Sequence, residues 1–174
     1  MLFWILVILV GAVLAVLAYA AMQPDGFTTR RSITINAPAD KVFPLINDVR
    51  AMNTWNPYAT MDPSIAITYS GPPTGRGASY AWQSKKVGSG SLTVTGVNPL
   101  ANVTAALVMT APWKADNVVS FDLMPAGTAT EVSWSMSGKK NFMSKLMGLF
   151  MDMDDMVGKS FSSGLATLKG LAER

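Results

Sequence analysis

The spacing of apolar positions changes along this chain, and each change predicts a different kind of element. Met1 to Met22 is apolar throughout and carries no charged side chain. At about 1.5 Å per residue it makes a helix able to cross a hydrocarbon core of about 30 Å. Gln23-Pro24-Asp25-Gly26 is turn chemistry, so residues 23–27 are predicted to be a linker. Thr28 to Asn36 alternates and is rich in β-branched residues, as a strand requires. Ala37-Pro38-Ala39-Asp40 then supplies a turn and a helix start. Val42, Phe43, Leu45, Ile46 and Val49 give the helix one apolar face, before Asn53-Thr54-Trp55-Asn56-Pro57 ends the pattern.

From Ile65 to Ser137 the chain becomes short alternating segments separated by Gly, Pro, Asn and Asp. Six strands are predicted: Ile65 to Ser70, Ala78 to Lys85, Gly90 to Val97, Asn102 to Thr110, Asn117 to Met124 and Thr130 to Ser137. Asn141 to Ala172 returns to helical period. Its stripe runs through Phe142, Leu146, Leu149, Phe150, Met153, Val157, Phe161, Leu165, Leu168 and Leu171, with Lys145, Asp152, Asp155 and Lys159 opposite. A long amphipathic helix with one sheet to bury against must lie in the hollow of that sheet, which must bend to accept it. The predicted fold is therefore α+β, a curved seven-stranded antiparallel sheet wrapped around a long C-terminal helix. Gly77, Gly88, Gly90 and Gly96 are available for the bending, and a cavity between sheet and helix is a natural consequence.

Composition narrows the chemistry. Without the apolar leader about 150 residues remain, the size of one domain with one core, here 28–174. The chain has no Cys and no His, which excludes disulfides, thiolate nucleophiles, Ser-His-Asp and Cys-His catalysis and histidine-based metal sites. The net charge of +3 is dispersed, with no basic run longer than Arg30-Arg31, Lys85-Lys86 and Lys139-Lys140, so no nucleic-acid partner is expected. Gly75-Arg76-Gly77 and Val87-Gly88-Ser89-Gly90 lack the Gly-Lys-Ser/Thr sequence and the following helix of a phosphate cradle. No cofactor and no metal are expected; Asp152, Asp154 and Asp155 crowd one helical turn without calcium-loop spacing and read as a solvated face.

Alternation sends Tyr80 and Trp82 to one side of their strand, Val119, Phe121 and Leu123 to one side of another, and Val132, Trp134 and Met136 to one side of a third. If that side is concave, these residues line the cavity; a solid aromatic core requires the same direction. Trp55 and Trp113 fall in predicted loops, at positions suited to a cavity mouth. The candidate ligand-binding set is Trp55, Tyr80, Trp82, Trp113, Phe121 and Trp134, with Phe150, Met153 and Val157 from the final helix. Met143, Met147 and Met151 lie on a flank of that helix, as the edge of its core stripe or as an adaptable contact surface. No catalytic residue is identified. Tyr69, Tyr80 or Asp48 would serve as acid or base only where a cavity shifts its pKa.

RSITINAPADKVFPLINDVRAMNTWNP, SYAWQSKKVGSGSLTVTGVNP, TEVSWSMSG and VGKSFSSGLATLKGLAE together resemble the polyketide cyclase/dehydrase branch of the START-like (SRPBCC) superfamily, over nearly all of residues 28–174. The resemblance implies a helix-grip fold and a deep cavity for a lipid, polyketide, steroid or other hydrophobic molecule. It implies no single reaction, since the superfamily mixes binders, transporters and enzymes.

The leading expectation is a non-catalytic binder or carrier of a hydrophobic small molecule, held at a lipid bilayer through residues 1–22. A cyclase- or dehydrase-type enzyme with Tyr or Asp acid-base chemistry is the second, and a membrane-bound protein-interaction module with an unidentified protein partner the third. Trp4 and Tyr19 sit near the two ends of the apolar segment as interfacial aromatics do, and a single pass is expected. Ala18-Tyr19-Ala20 also fits a leader-cleavage site, although the run is longer than a leader core and no Lys or Arg precedes it. Arg30 and Arg31 after the segment favour a cytoplasmic domain by the positive-inside rule.

Overall fold

The computed structural model describes residues 2–174. Its elements are α1 (Leu2–Met22), β1 (Gly26–Ile35), α2 (Ala39–Asn47), α3 (Val49–Trp55), α4 (Pro57–Thr60), β2 (Ala66–Ser70), β3 (Ser79–Ser84), β4 (Gly88–Asn98), β5 (Asn102–Ala111), β6 (Ala115–Ala126), β7 (Ala129–Lys139), α5 (Phe142–Met147) and α6 (Met153–Ala172). The strands make one seven-stranded antiparallel sheet in the order β1-β7-β6-β5-β4-β3-β2. The fold is α+β with the helix-grip arrangement. β1 begins at Gly26, so the predicted linker contributes its last two residues to the sheet.

Polar caps break both predicted helices. The first is split, because Asp48 accepts hydrogen bonds from the backbone N–H groups of Arg50 and Ala51 at 2.7 and 3.2 Å and so starts α3, which runs on into the predicted break as far as Trp55. Asn56 repeats the device by accepting from Tyr58 N at 3.2 Å, with Pro57 at the first position of α4, where a missing N–H does no harm. The final helix is interrupted between Met147 and Met153. Asn141 caps α5 through Ser144 N at 2.7 Å, and Asp152 caps α6 through Asp155 N at 2.9 Å. The acidic cluster read as a solvated face therefore also shapes the helix start. Asp152 caps it, while Asp154 and Asp155 occupy a first turn whose dipole favours negative charge.

Bulges bend the sheet. Between β4 and β5 the register shifts at Ser89/Gly90 and again at Val94/Gly96. At Gly90 the Trp82 ring lies so close that an added Cβ would stand 2.8 Å from it, so the neighbouring strand carries the indole only because this position has no side chain.

α6 leans chiefly on β1, with further contacts to β7, α2, α3 and α4. Its buried residues Gly158, Phe161, Gly164, Leu165, Leu168 and Ala172 recur at helical spacing, and burial of each large one contributes about 1.5–3 kcal/mol. Gly164 permits the close approach of α6 to Trp134. A Cβ there would sit 2.8 Å from the Trp134 ring and 2.9 Å from Pro57, whereas nothing lies within 4 Å of the corresponding position at Gly170 on the same helix. Alanine at either site gains about 1 kcal/mol of helix propensity, but only at Gly164 does it overpack, at a cost of about 1–3 kcal/mol. Gly170→Ala is expected to raise the urea midpoint and Gly164→Ala to lower it; equal shifts in both variants would show that α6 does not press on Trp134.

Candidate ligand cavity

Between the sheet and the helical layer of α3, α4 and α6 lies a cavity of about 220 Å³. Strand alternation builds its floor. Tyr80 and Trp82 come from β3, Leu92 from β4, Leu107 and Met109 from β5, Asn117, Val119 and Phe121 from β6, and Trp134 and Met136 from β7. The antiparallel register aligns them in rows, with Tyr80 opposite Leu92, Leu92 opposite Leu107, Val119 opposite Met136 and Phe121 opposite Trp134. Met52, Asn53, Trp55, Asn56, Tyr58 and Ala59 cover it from α3 and α4, Ile65 and Ile67 flank it from β2 and the loop before it, and Phe161 reaches in from α6.

One end of this space is closed by aromatic packing. Trp134 stacks on Phe161 with ring centroids 4.1 Å apart, and Trp55 meets Phe121 and Trp134 edge-on at 5.7 and 5.5 Å. Trp55 Nε1 donates to the Leu45 carbonyl at 2.8 Å, which fixes the indole from behind. This cluster is the solid part of the core, and the cavity is what lies beyond it.

The lining residues carry no charged side chain. Their polar groups are amides, phenols and indoles. Asn56 Nδ2 donates to the Tyr80 hydroxyl at 3.2 Å and to Asn53 Oδ1 at 3.3 Å, and Asn53 Nδ2 donates to the Tyr69 hydroxyl at 3.3 Å. Because the Tyr80 oxygen accepts from Asn56, its own proton is available to a guest. Burial pushes the Tyr80 phenol far above its ordinary value and raises Tyr58 as well, so both stay protonated at neutral pH. Two atoms of lining residues, Asn117 Oδ1 and Trp134 Nε1, are buried without a hydrogen-bond partner in the protein, the Asn117 oxygen packed against Gly138 of the neighbouring strand. Trp134 pairs with Phe121, two same-face steps along β6 from Asn117, so the two residues stand about 13 Å apart along the strands.

The structure brings Trp55, Tyr80, Trp82, Phe121 and Trp134 together around the cavity. It separates the other candidates from it. Trp113 lies in the β5–β6 turn and is 51% exposed. Phe150 falls in the break between α5 and α6 and is 76% exposed, and Met153, at the first residue of α6, is also exposed. Val157 packs against the core but does not line the space. An uninterrupted helix would have carried its stripe across the sheet; the caps at Asn141 and Asp152 redirect that part of it outward. Asp48 is used as a cap, and Tyr69 stands behind the lining with the Arg50 guanidinium 4.1 Å over its ring. Sequence reading missed Asn53, Asn56, Tyr58 and Asn117. Asn117 did carry a signal, a polar residue in the same alternating set as Val119 and Phe121.

Asp62 holds two edges of the site together. Buried in the loop before β2, its carboxylate accepts from the Ser64 hydroxyl and the Ser84 hydroxyl, both at 2.6 Å, and from Ser64 N at 2.9 Å. Ser84 Oγ in turn accepts from the N–H groups of Lys86 and Val87 at 3.0 Å. The lining residues Ile65 and Val87 are tied by this chain.

Residues 27–173 match a family model described as "Polyketide cyclase / dehydrase and lipid transport". Among solved structures, protein MLL2253 from Mesorhizobium loti is 16% identical with a TM-score of 0.63, covering 85% of this chain and 98% of its own. Protein CV1439 from Chromobacterium violaceum is 14% identical with a TM-score of 0.61, covering 84% and 97%. The Aha1 dimer from Colwellia psychrerythraea is 16% identical with a TM-score of 0.59, covering 84% and 96%. At these identities the likeness concerns the fold. No curated protein shows significant similarity to the chain.

The hydroxyl of Ser64, ahead of that of Ser84, holds the Asp62 carboxyl well below the usual carboxylate range. A folded-state value below the unfolded one means that the ionised group stabilises the fold above about pH 4, and that this contribution is lost as acid protonates it. Asp62→Asn is expected to be less stable than the parent at pH 7, with the difference shrinking as urea midpoints are taken below about pH 4. A difference independent of pH would assign Asp62 a purely steric role.

Proposed function

The chain belongs to the polyketide cyclase/dehydrase and lipid-transport family, and from that premise we propose that it binds or carries a hydrophobic small molecule beside a membrane. One observation carries the reading. A core of this size closes on itself unless something keeps it open, yet here sheet and helices leave about 220 Å³ between them, lined mostly by apolar side chains and free of charge. A cavity of about 150 Å³ already admits benzene, so the guest has the bulk of about two fused rings or a medium-length chain. Its polar decoration follows from the lining: an oxygen acceptor for the Tyr80 proton.

The membrane half of the proposal rests on α1. Phe3–Met22 is long and apolar enough to cross a bilayer, and it is exposed along nearly its whole length. Exposed in this way, it does not serve as the core helix of the domain. At central insertion values its Leu, Ile, Val and Phe residues contribute about 4–7 kcal/mol toward the bilayer. Arg30 and Arg31 favour a cytoplasmic domain.

A cyclase- or dehydrase-type reaction is a second reading, favoured by the convergence of Tyr80 and Asn56 in the cavity. With its pKa raised by burial, Tyr80 would donate a proton or a hydrogen bond to a carbonyl and would not act as a base.

Mass spectrometry of what copurifies with the full chain, together with uptake of an apolar fluorophore, tests the reading. Leu107→Trp is expected to fill the space and cut uptake at least about tenfold without loss of thermal stability; undiminished uptake would place binding elsewhere and end the proposal. Tyr80→Phe removes one hydrogen bond and is expected to weaken a carbonyl-bearing guest by about 2–10-fold while leaving a pure hydrocarbon unaffected.

A further inference from the structure

We propose that one end of the sheet, together with α5, rests on an anionic bilayer surface, so that the cavity is held against the source of its guest. The inference depends on α1 being a membrane anchor.

α1 fixes which end that is. The helix runs into β1 at Gly26, and the pairings Gly26 with Lys139, Asn117 with Gly138, Met109 with Ala115, and Ser84 with Gly88 put the β3–β4 and β5–β6 turns at the same end of the sheet. α5 packs beside α1 there. Lys145 ties the two, since its ammonium pairs with Asp25 and donates to the Ala21 carbonyl at 3.4 Å, at the terminus of α1 where positive charge is favoured. Apart from this junction, α1 extends free of the domain.

That end is unlike the opposite one. Within 142–156, Phe142, Met143, Phe150, Met151, Met153 and Met156 are all exposed, an unusual run of large apolar side chains beside the end of a spanning helix. Trp113, exposed in the β5–β6 turn, adds an aromatic of the type that settles at headgroup level. At the same end of the sheet stand Lys85, Lys86, Lys114 and Lys139, all exposed, and Lys140, half-buried. The acidic groups at this end are mostly occupied: Asp25 with Lys145, Asp154 with Arg31, Asp155 with Lys159, Asp152 as a helix cap, and Asp62 buried among hydroxyls, leaving Asp116 exposed. Apolar insertion flanked by lysines is the pattern that an anionic lipid surface recognises. The cavity reaches toward the same end, where Val87, Met109, Asn117 and Met136 line it.

The chain contains no Cys, so single cysteines can be labelled selectively in the full-length protein. Gly11→Cys, Trp113→Cys, Phe150→Cys and Leu100→Cys would each carry an environment-sensitive fluorophore in vesicles of phosphatidylcholine with about a quarter phosphatidylglycerol, and be exposed to lipids spin-labelled near the headgroup or deep in the chain. Leu100 lies in the turn at the opposite end of the sheet. The expected result is deep quenching at 11, and shallow quenching at 113 and 150 at least about threefold above that at 100. Quenching at 11 with 113 and 150 no different from 100 would overturn the inference and leave the anchor intact. No quenching at 11 would remove the anchor reading itself. Omitting phosphatidylglycerol is expected to weaken quenching at 113 at least about twofold, and no change there would refute engagement of the lysines with the headgroups.

Discussion

Everything in the domain depends on how closely α6 can approach the sheet at one place. Gly164 lets the helix backbone come down beside Trp134, Phe161 stacks on the same indole, and Trp55 closes against both Trp134 and Phe121 from the other helical segment. Once these bulky, well-oriented groups are locked at one end, the helical layer has its anchorage there. α6 then bears on β1, while α3 and its C-cap Asn56 reach strands further across, to Tyr69, Tyr80 and Phe121. The side chains available in between are too few to fill the remaining width of a seven-stranded sheet, so the cavity is a product of tight packing next door.

The polar groups in and behind the cavity wall form two sets. Asn53, Asn56, Tyr69 and Tyr80 satisfy one another and give the helical cover a fixed position over the strands. Asn117 Oδ1 and Trp134 Nε1 have no such partner within the protein. Buried polar atoms are nearly always paired, because an unpaired one forfeits its hydration without return.

The Lys145 contacts hold the root of α1 against α5, so the joint between this helix and the domain is braced. Antiparallel topology then places the β3–β4 and β5–β6 turns level with that joint, with no need for any residue to contact α1 directly.

Much of the architecture was legible in the sequence. Alternation located all six strands after the first helical region to within about two residues, and the order of elements with the family resemblance led to the helix-grip fold, since period is a local property of the chain. The same alternation directed Tyr80, Trp82, Phe121 and Trp134 to a common side. What periodicity reports, however, is which face is apolar, and it is silent on what covers that face. Phe150 and Met153 continue the stripe of α6 on paper, but capping by Asp152 starts the helix afresh and leaves both exposed; Trp113 has the composition of a cavity residue and sits at a turn outside it. Asn53, Asn56 and Tyr58 read as a helix-ending loop until Asp48 and Asn56 wind them into α3 and α4 above the strands. Local pattern determined the elements and their inward faces. Only the tertiary structure decided which inward residues meet one another and which face an unfilled space, because that depends on distances between segments far apart in the chain.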